Sequence, residues 1–187
     1  MIRSLARTLR SCAGKLARFG RAGQGTTAVE FALIAPVFLA TLIAILQTCV
    51  FVFAQQTLQT AAMQAGRLIM TGQVQNGNMT QNQLMTNNIC PMLQPLFNCN
   101  SVMVDVQSYS SFSGVDTSTP TLSYNGRGQV SNNWSFDPGT PGQVVIVRLI
   151  YQWSVVGGPL GFALSNLPNS SAEMMGISAF RVEPYGS

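Results

Sequence analysis

Between Phe31 and Phe53 the chain reads FALIAPVFLATLIAILQTCVFVF, with no charged residue anywhere in the run. As an α-helix this stretch rises about 34 Å, enough to cross a hydrocarbon core of about 30 Å. It is too long, and begins too far from the start, for an ordinary secretory signal, whose apolar core runs about 7–15 residues. Pro36 lies one turn inside, where a kink is tolerable in a membrane helix. At the doorway stands one carboxylate, Glu30. A carboxylate costs about 2.5–3.5 kcal/mol on insertion scales if it reaches the bilayer centre. A membrane span does not need one, so Glu30 is the first candidate for a functional role.

Charge is distributed as such a span requires. Arg3, Arg7, Arg10, Lys15, Arg18 and Arg21 supply six of the ten basic residues, all before position 25 and with no acid among them. From Thr26 onward four Arg face six acids, a balance of −2. The overall +4 therefore belongs to a leader and not to a folded surface, which argues against nucleic acid as a partner. Ile2, Leu5, Leu9, Cys12 and Leu16 recur at steps of three and four, so residues 1–24 read as a basic amphipathic helix. A membrane-surface leader explains it; a mitochondrial presequence would not account for the long apolar span behind it. The positive-inside rule puts this flank in the cytoplasm and the remainder on the other side. Charged residues are only 9%, and mean hydropathy is +0.24, as suits a chain holding a membrane segment.

The chain has no His. That removes His-based acid–base chemistry, Ser-His-Asp and Cys-His systems, and the commonest metal ligand. No enzymatic activity, cofactor or metal is expected. Asp105, Asp116 and Asp137 lack calcium-loop spacing and read as strand-face and turn residues. Of four Cys, Cys12 falls in the leader and Cys49 in the span, leaving Cys90 and Cys99 as a plausible pair. A disulfide there would contribute roughly 2.5–3 kcal/mol through loop entropy. The spacing is not that of a redox-active CxxC, so a structural staple is expected.

Helical patterning continues past the span. Leu58, Ala61, Ala62, Ala65, Leu68 and Ile69 form an apolar stripe among Gln and Thr, with Gly72 as the stop. One helix from about Thr27 to Met70 is the simplest object. Thr80 is placed to cap a short helix reaching Ile89. Val102–Gln107 alternates with period two, Gln143–Trp153 is nearly continuously apolar with one Arg, and Ala172–Val182 reads as a last strand. Residues 108–142 are Ser/Gly/Thr/Pro-rich, with a short strand conceivable at Thr121–Tyr124. The expected fold is α+β: a long N-terminal helix, transmembrane in its first half, packed by its second half on a small antiparallel sheet. The divisions are a leader over 1–25, a span over 26–53 and a head over 54–187.

Three segments carry a family resemblance. Gly25-Thr26-Thr27-Ala28-Val29-Glu30-Phe31 resembles the type IV prepilin cleavage pattern: Gly, four small or apolar residues, Glu, then an aromatic. With the continuation AVEFALIAP, the segment AAMQAGRLIMTG at 61–72 and AFRVEPY at 179–185, the chain resembles TadE-like proteins, minor pseudopilins of tight-adherence (Tad/Flp) pilus systems. The resemblance implies cleavage between Gly25 and Thr26 by a membrane prepilin peptidase. It implies that Glu30 docks on the free N-terminal amine of a neighbouring subunit, with Phe31 as the aromatic next to it. A buried carboxylate needs such a partner. The plainer alternatives are a loop Gly at 25, a Glu30 among lipid headgroups and a lipid-facing Phe31. Arg67, Arg181 and Glu183 recur in the family, and two readings of Arg67 stand: it meets Glu183 or the C-terminal carboxylate, tying the chain end to the helix, or it is a solvated Arg. The implied partners are the membrane, the prepilin peptidase, the major Flp pilin, other minor pseudopilins and the Tad inner-membrane assembly platform. The implied location is the bacterial inner membrane, single-pass, N-terminus cytoplasmic and C-terminal domain periplasmic, with incorporation into the pilus open. The alternative from another class is an uncleaved single-pass envelope protein whose outer domain binds a ligand.

Overall fold

A computed structural model describes residues 24–94, 96–155, 157–158, 161–167 and 169–185. The basic leader, with Cys12, lies outside the described residues. Helix α1 runs Gln24–Met70, 47 residues through Pro36, and contributes to two compact units that divide between Leu46 and Gln47. After it come α2 (Gln73–Asn76), α3 (Gln81–Leu84), a π-helical turn (Met85–Ile89) and α4 (Cys90–Leu93). Strands β1 (Met103–Tyr109), β2 (Val144–Ser154) and β3 (Ser171–Arg181) form one antiparallel sheet in the order β1-β2-β3. The fold is the expected α+β.

Residues 47–70 of α1 belong to the head and build its core. Ala54, Leu58, Ala61, Ala62, Ala65 and Ile69 are fully buried, one face of a 3.6-residue period. The stripe is mostly Ala because the sheet comes very close. A Cβ at Gly176 of β3 would stand 2.5 Å from the Leu58 carbonyl oxygen, and one at Gly66 would stand 2.6 Å from the Ser178 hydroxyl. Val104, Val106, Val145, Val147, Leu149 and Met174 complete this layer from the sheet.

The opposite face of the sheet is buried too. Val144, Ile146 and Ile150 have no exposed surface, and Asp105 and Arg148 are almost fully covered. Residues of the 108–142 insert meet this face and its edge: the Asp116 carbonyl accepts from Arg148 Nη2, the Ser135 amide donates to Asp105, and Phe136 forms a parallel bridge with Val106. Burial on both faces is why β2 reads as a continuous apolar run and not an alternating one. Thr121–Tyr124 is not a strand. Tyr124 makes one isolated bridge to Val130, across a turn in which Asn125 Oδ1 accepts from the Arg127 and Gln129 amides. The side chain of Asn125 supplies the order there that a ladder would otherwise give.

Thr80 caps α3 through a reciprocal capping box with Gln83. The path to Ile89 is not one α-helix, since it widens into the π turn before Cys90. Pro91 comes immediately after and offers no N–H to the preceding turn, which is a physical reason for the change of pitch.

Candidate assembly helix and its head

Gly25 and Thr26 lie in the first turn of α1. Glu30 is exposed on α1 and has no ion-pair partner among the described residues. Phe31 is 73% exposed. Val29, Leu33, Ile34, Val37, Phe38, Leu39, Leu42 and Ile45 are also exposed. These positions go round the whole helix, so no single face of this half is set aside for a soluble core. The segment is long and apolar enough to cross a membrane. Free Cys49 is exposed in the same stretch.

At the other end of α1, Arg67 is exposed and forms no ion pair with Glu183. Arg181 Nε donates instead to the Gly142 carbonyl at 3.0 Å. The chain end is nevertheless held to the helix. The Glu183 amide donates to the Met70 carbonyl at 3.0 Å, Val182 is buried, and Tyr185 packs on Gly72. Gly72 has φ 74°, and a Cβ there would lie 2.2 Å from Tyr185 Cγ. It is both the stop for α1 and the seat of Tyr185. Among the described residues backbone bonding and packing hold this end; the C-terminal carboxylate, the other partner expected for Arg67, lies outside them.

Cys90 and Cys99 form a disulfide. It links α4 to the 3₁₀ turn Cys99–Ser101 that leads into β1.

Two further groups of residues shape the head without having stood out in the sequence. The first closes the sheet edges. Gln59 Nε2 donates to the Ile177 carbonyl while its Oε1 accepts from the Ile177 amide, and Gln55 Nε2 donates to the Met175 carbonyl. Asn166 Oδ1 accepts from the Glu173 amide. On the far edge, Gln81 Nε2 donates to the Val104 carbonyl, and Val106 is bonded through both backbone groups to Ser135 and Asp137. An open strand edge is a template for pairing with another chain; these amides occupy it.

The second is the ion pair Arg148–Asp105, 3.0 Å apart and buried, between directly paired residues of β2 and β1. Asp105 also accepts from Gln107 Nε2 and the Ser135 amide. Arg148 Nε is buried with no partner among the described residues. A one-residue slip of β1 on β2 would separate the two charges and leave each buried without its counter-charge, so the pair specifies register. Nearby, Asp116 is held below the usual carboxylate range by hydrogen bonds from the Ser118 hydroxyl and amide, with Arg148 adding to the effect.

Among the described residues one helix is long and apolar enough to cross a membrane, and its second half is the core helix of a small three-stranded head, which defines the class: an α+β protein with a helix able to span a membrane. Within it, residues 25–67 match the family model described as TadE-like protein. The matched segment starts at Gly25 and ends at Arg67, within α1, and it connects the chain with Tad pilus systems. No curated protein and no solved structure matches the chain.

Proposed function

We propose that this chain is a minor pseudopilin of a Tad (Flp, type IVb-like) pilus, cut after Gly25 by prepilin peptidase and acting in pilus biogenesis and adherence. The observation that carries the reading is Glu30: an exposed carboxylate without an ion-pair partner among the described residues, five residues into the proposed product and beside an exposed apolar helix. In hydrocarbon such a charge needs a partner, and the amine created at Thr26 of a neighbouring subunit is of the right sign. The apolar half of α1 then packs among the helices of the major Flp pilin and other minor pseudopilins on the Tad inner-membrane platform. The Arg-rich leader stays in the cytoplasm and the disulfide-bearing head stands in the periplasm, where oxidation is permitted. Closed sheet edges support helix-to-helix assembly over strand addition.

The test is intact mass and N-terminal sequencing of membrane-purified protein from cells with and without the prepilin peptidase. A chain beginning at Thr26 only when the peptidase is present is expected. Retention of residues 1–25 in both would overturn the proposal and leave an uncleaved single-pass envelope protein.

A further inference from the structure

The head has a cleft of about 470 Å³ that no part of the assembly scheme uses. One wall is the turn Asn98–Ser101, the other comes from Gly128–Trp134 in the insert, and the end of β2 supplies Tyr151 and Gln152. Its volume lies in the range of about 300–1,000 Å³ typical of small-molecule sites. We infer that it binds a neutral carbohydrate.

The chemistry of the lining selects this class. Among the described residues no Asp, Glu, Lys or Arg lines the cleft, so nothing there neutralises a phosphate, a sulfate or an ammonium group. Four side-chain amides do line it: Asn98, Asn100, Gln129 and Gln152. An amide presents a donor and an acceptor side by side, matching neighbouring hydroxyls that each give and take a hydrogen bond. Trp134 and Tyr151 add ring surfaces, whose negative faces attract the weakly positive C–H faces of a pyranose. An apolar ligand would cover these amides without offering them a hydrogen bond.

The polar groups are partly spoken for, in ways that orient them. Asn98 Oδ1 accepts from the Asn100 amide, which leaves its Nδ2 as a donor. Gln152 Nε2 donates to the Tyr124 hydroxyl at 2.7 Å, which leaves its Oε1 as an acceptor. The ring of Tyr151 is set edge-on to Phe97, with centroids 4.9 Å apart. The Cys90–Cys99 disulfide fixes the Asn98–Ser101 wall at its centre. A rigid scaffold carrying fixed donors and acceptors lowers the ordering cost of binding. Binding here does not depend on cleavage after Gly25.

The full chain in lipid nanodiscs, free of glycoside detergent, is applied to an array of neutral, sialylated and sulfated glycans. Binding to neutral glycans is expected, weakened at least tenfold by Trp134→Ala and by Gln129→Ala. Asn100→Asp, which places a charge in the cleft without removing bulk, should weaken it similarly and covers the case in which Trp134→Ala misfolds. Binding to no glycan, binding to charged glycans only, or neutral-glycan binding that survives Gln129→Ala and Asn100→Asp overturns the inference.

Discussion

Gln59 on α1 holds Ile177 of β3 by both backbone groups, donating to its carbonyl at 2.8 Å and accepting from its amide at 3.0 Å. The side-chain amide stands where a fourth strand would stand. It fastens residues 47–70 of α1 to the sheet of the head. Gln59→Leu strands two backbone groups in a half-buried place, at about 1–3 kcal/mol for an unsatisfied group. The expected result is a lower urea midpoint for the head, with association of heads through the opened edge, whereas Gln56→Leu on the exposed side of α1 leaves both unchanged. Equal effects of the two substitutions would remove the edge-closing role.

The Arg148–Asp105 pair gives a second expectation. Removing one partner of a buried ion pair costs about 3–5 kcal/mol, because a buried charge is left alone, while replacing both with apolar residues is often close to neutral. Arg148→Leu should therefore destabilise the head strongly, and adding Asp105→Leu should recover most of the loss in denaturant unfolding. Additive effects would show that the two charges do not act as a pair.

Glu173 sets a pH dependence. Burial raises its carboxyl above the ordinary value of 4.5, and its Oε1 is buried without a partner among the described residues. The folded state therefore holds this proton to higher pH than the unfolded chain does. Between the unfolded and the raised folded pKa the folded state binds more protons, so its contribution to stability falls as pH rises through that window. Glu173→Gln should raise the melting temperature at neutral pH and flatten its decline above pH 4.5, as measured by thermal unfolding across pH. Asp116 acts in the opposite direction: its pKa is lowered, so its stabilisation is lost as pH falls.

How far the sequence discloses this structure depends on the kind of force involved. The apolar run, the Ala stripe on α1, the Gly72 stop and the uninterrupted β2 were legible because burial and helical period leave a local pattern. Gln55 and Gln59 read as an ordinary polar face, since their partners lie about 120 residues away and only the register of β3 gives them meaning. Arg67 and Glu183 invited an ion pair, but the Glu183–Met70 contact is between backbone groups and leaves no trace in side-chain identity. The insert has no period because side chains such as Asn125 and Asp137 order its turns, rather than a ladder.

The disulfide can be checked by substitution. Cys90→Ser with Cys99→Ser opens a short loop, for which the chain-entropy model gives roughly 2.5–3 kcal/mol. Urea unfolding should show a loss of about that size, together with faster proteolysis near Asn98–Ser101. Processing at Gly25 should be unaffected. An unchanged urea midpoint would mean that packing of Leu93 and Phe97, both buried, already orders this region alone.

In the pseudopilin scheme proposed above, the group that decides docking is Glu30. In the proposed scheme the carboxylate is not read by the peptidase but by a neighbouring subunit, after Thr26 has become a free amine. Glu30→Ala should thus be cleaved at near wild-type level while pili are lost from the cell surface. Glu30→Gln keeps the shape and hydrogen-bonding capacity but removes the charge, and it should fail in the same way if attraction to the amine is what docks the subunit. Immunoblots for the processed form and electron microscopy of pili separate the two steps. Normal piliation with Glu30→Ala would place the carboxylate among lipid headgroups instead.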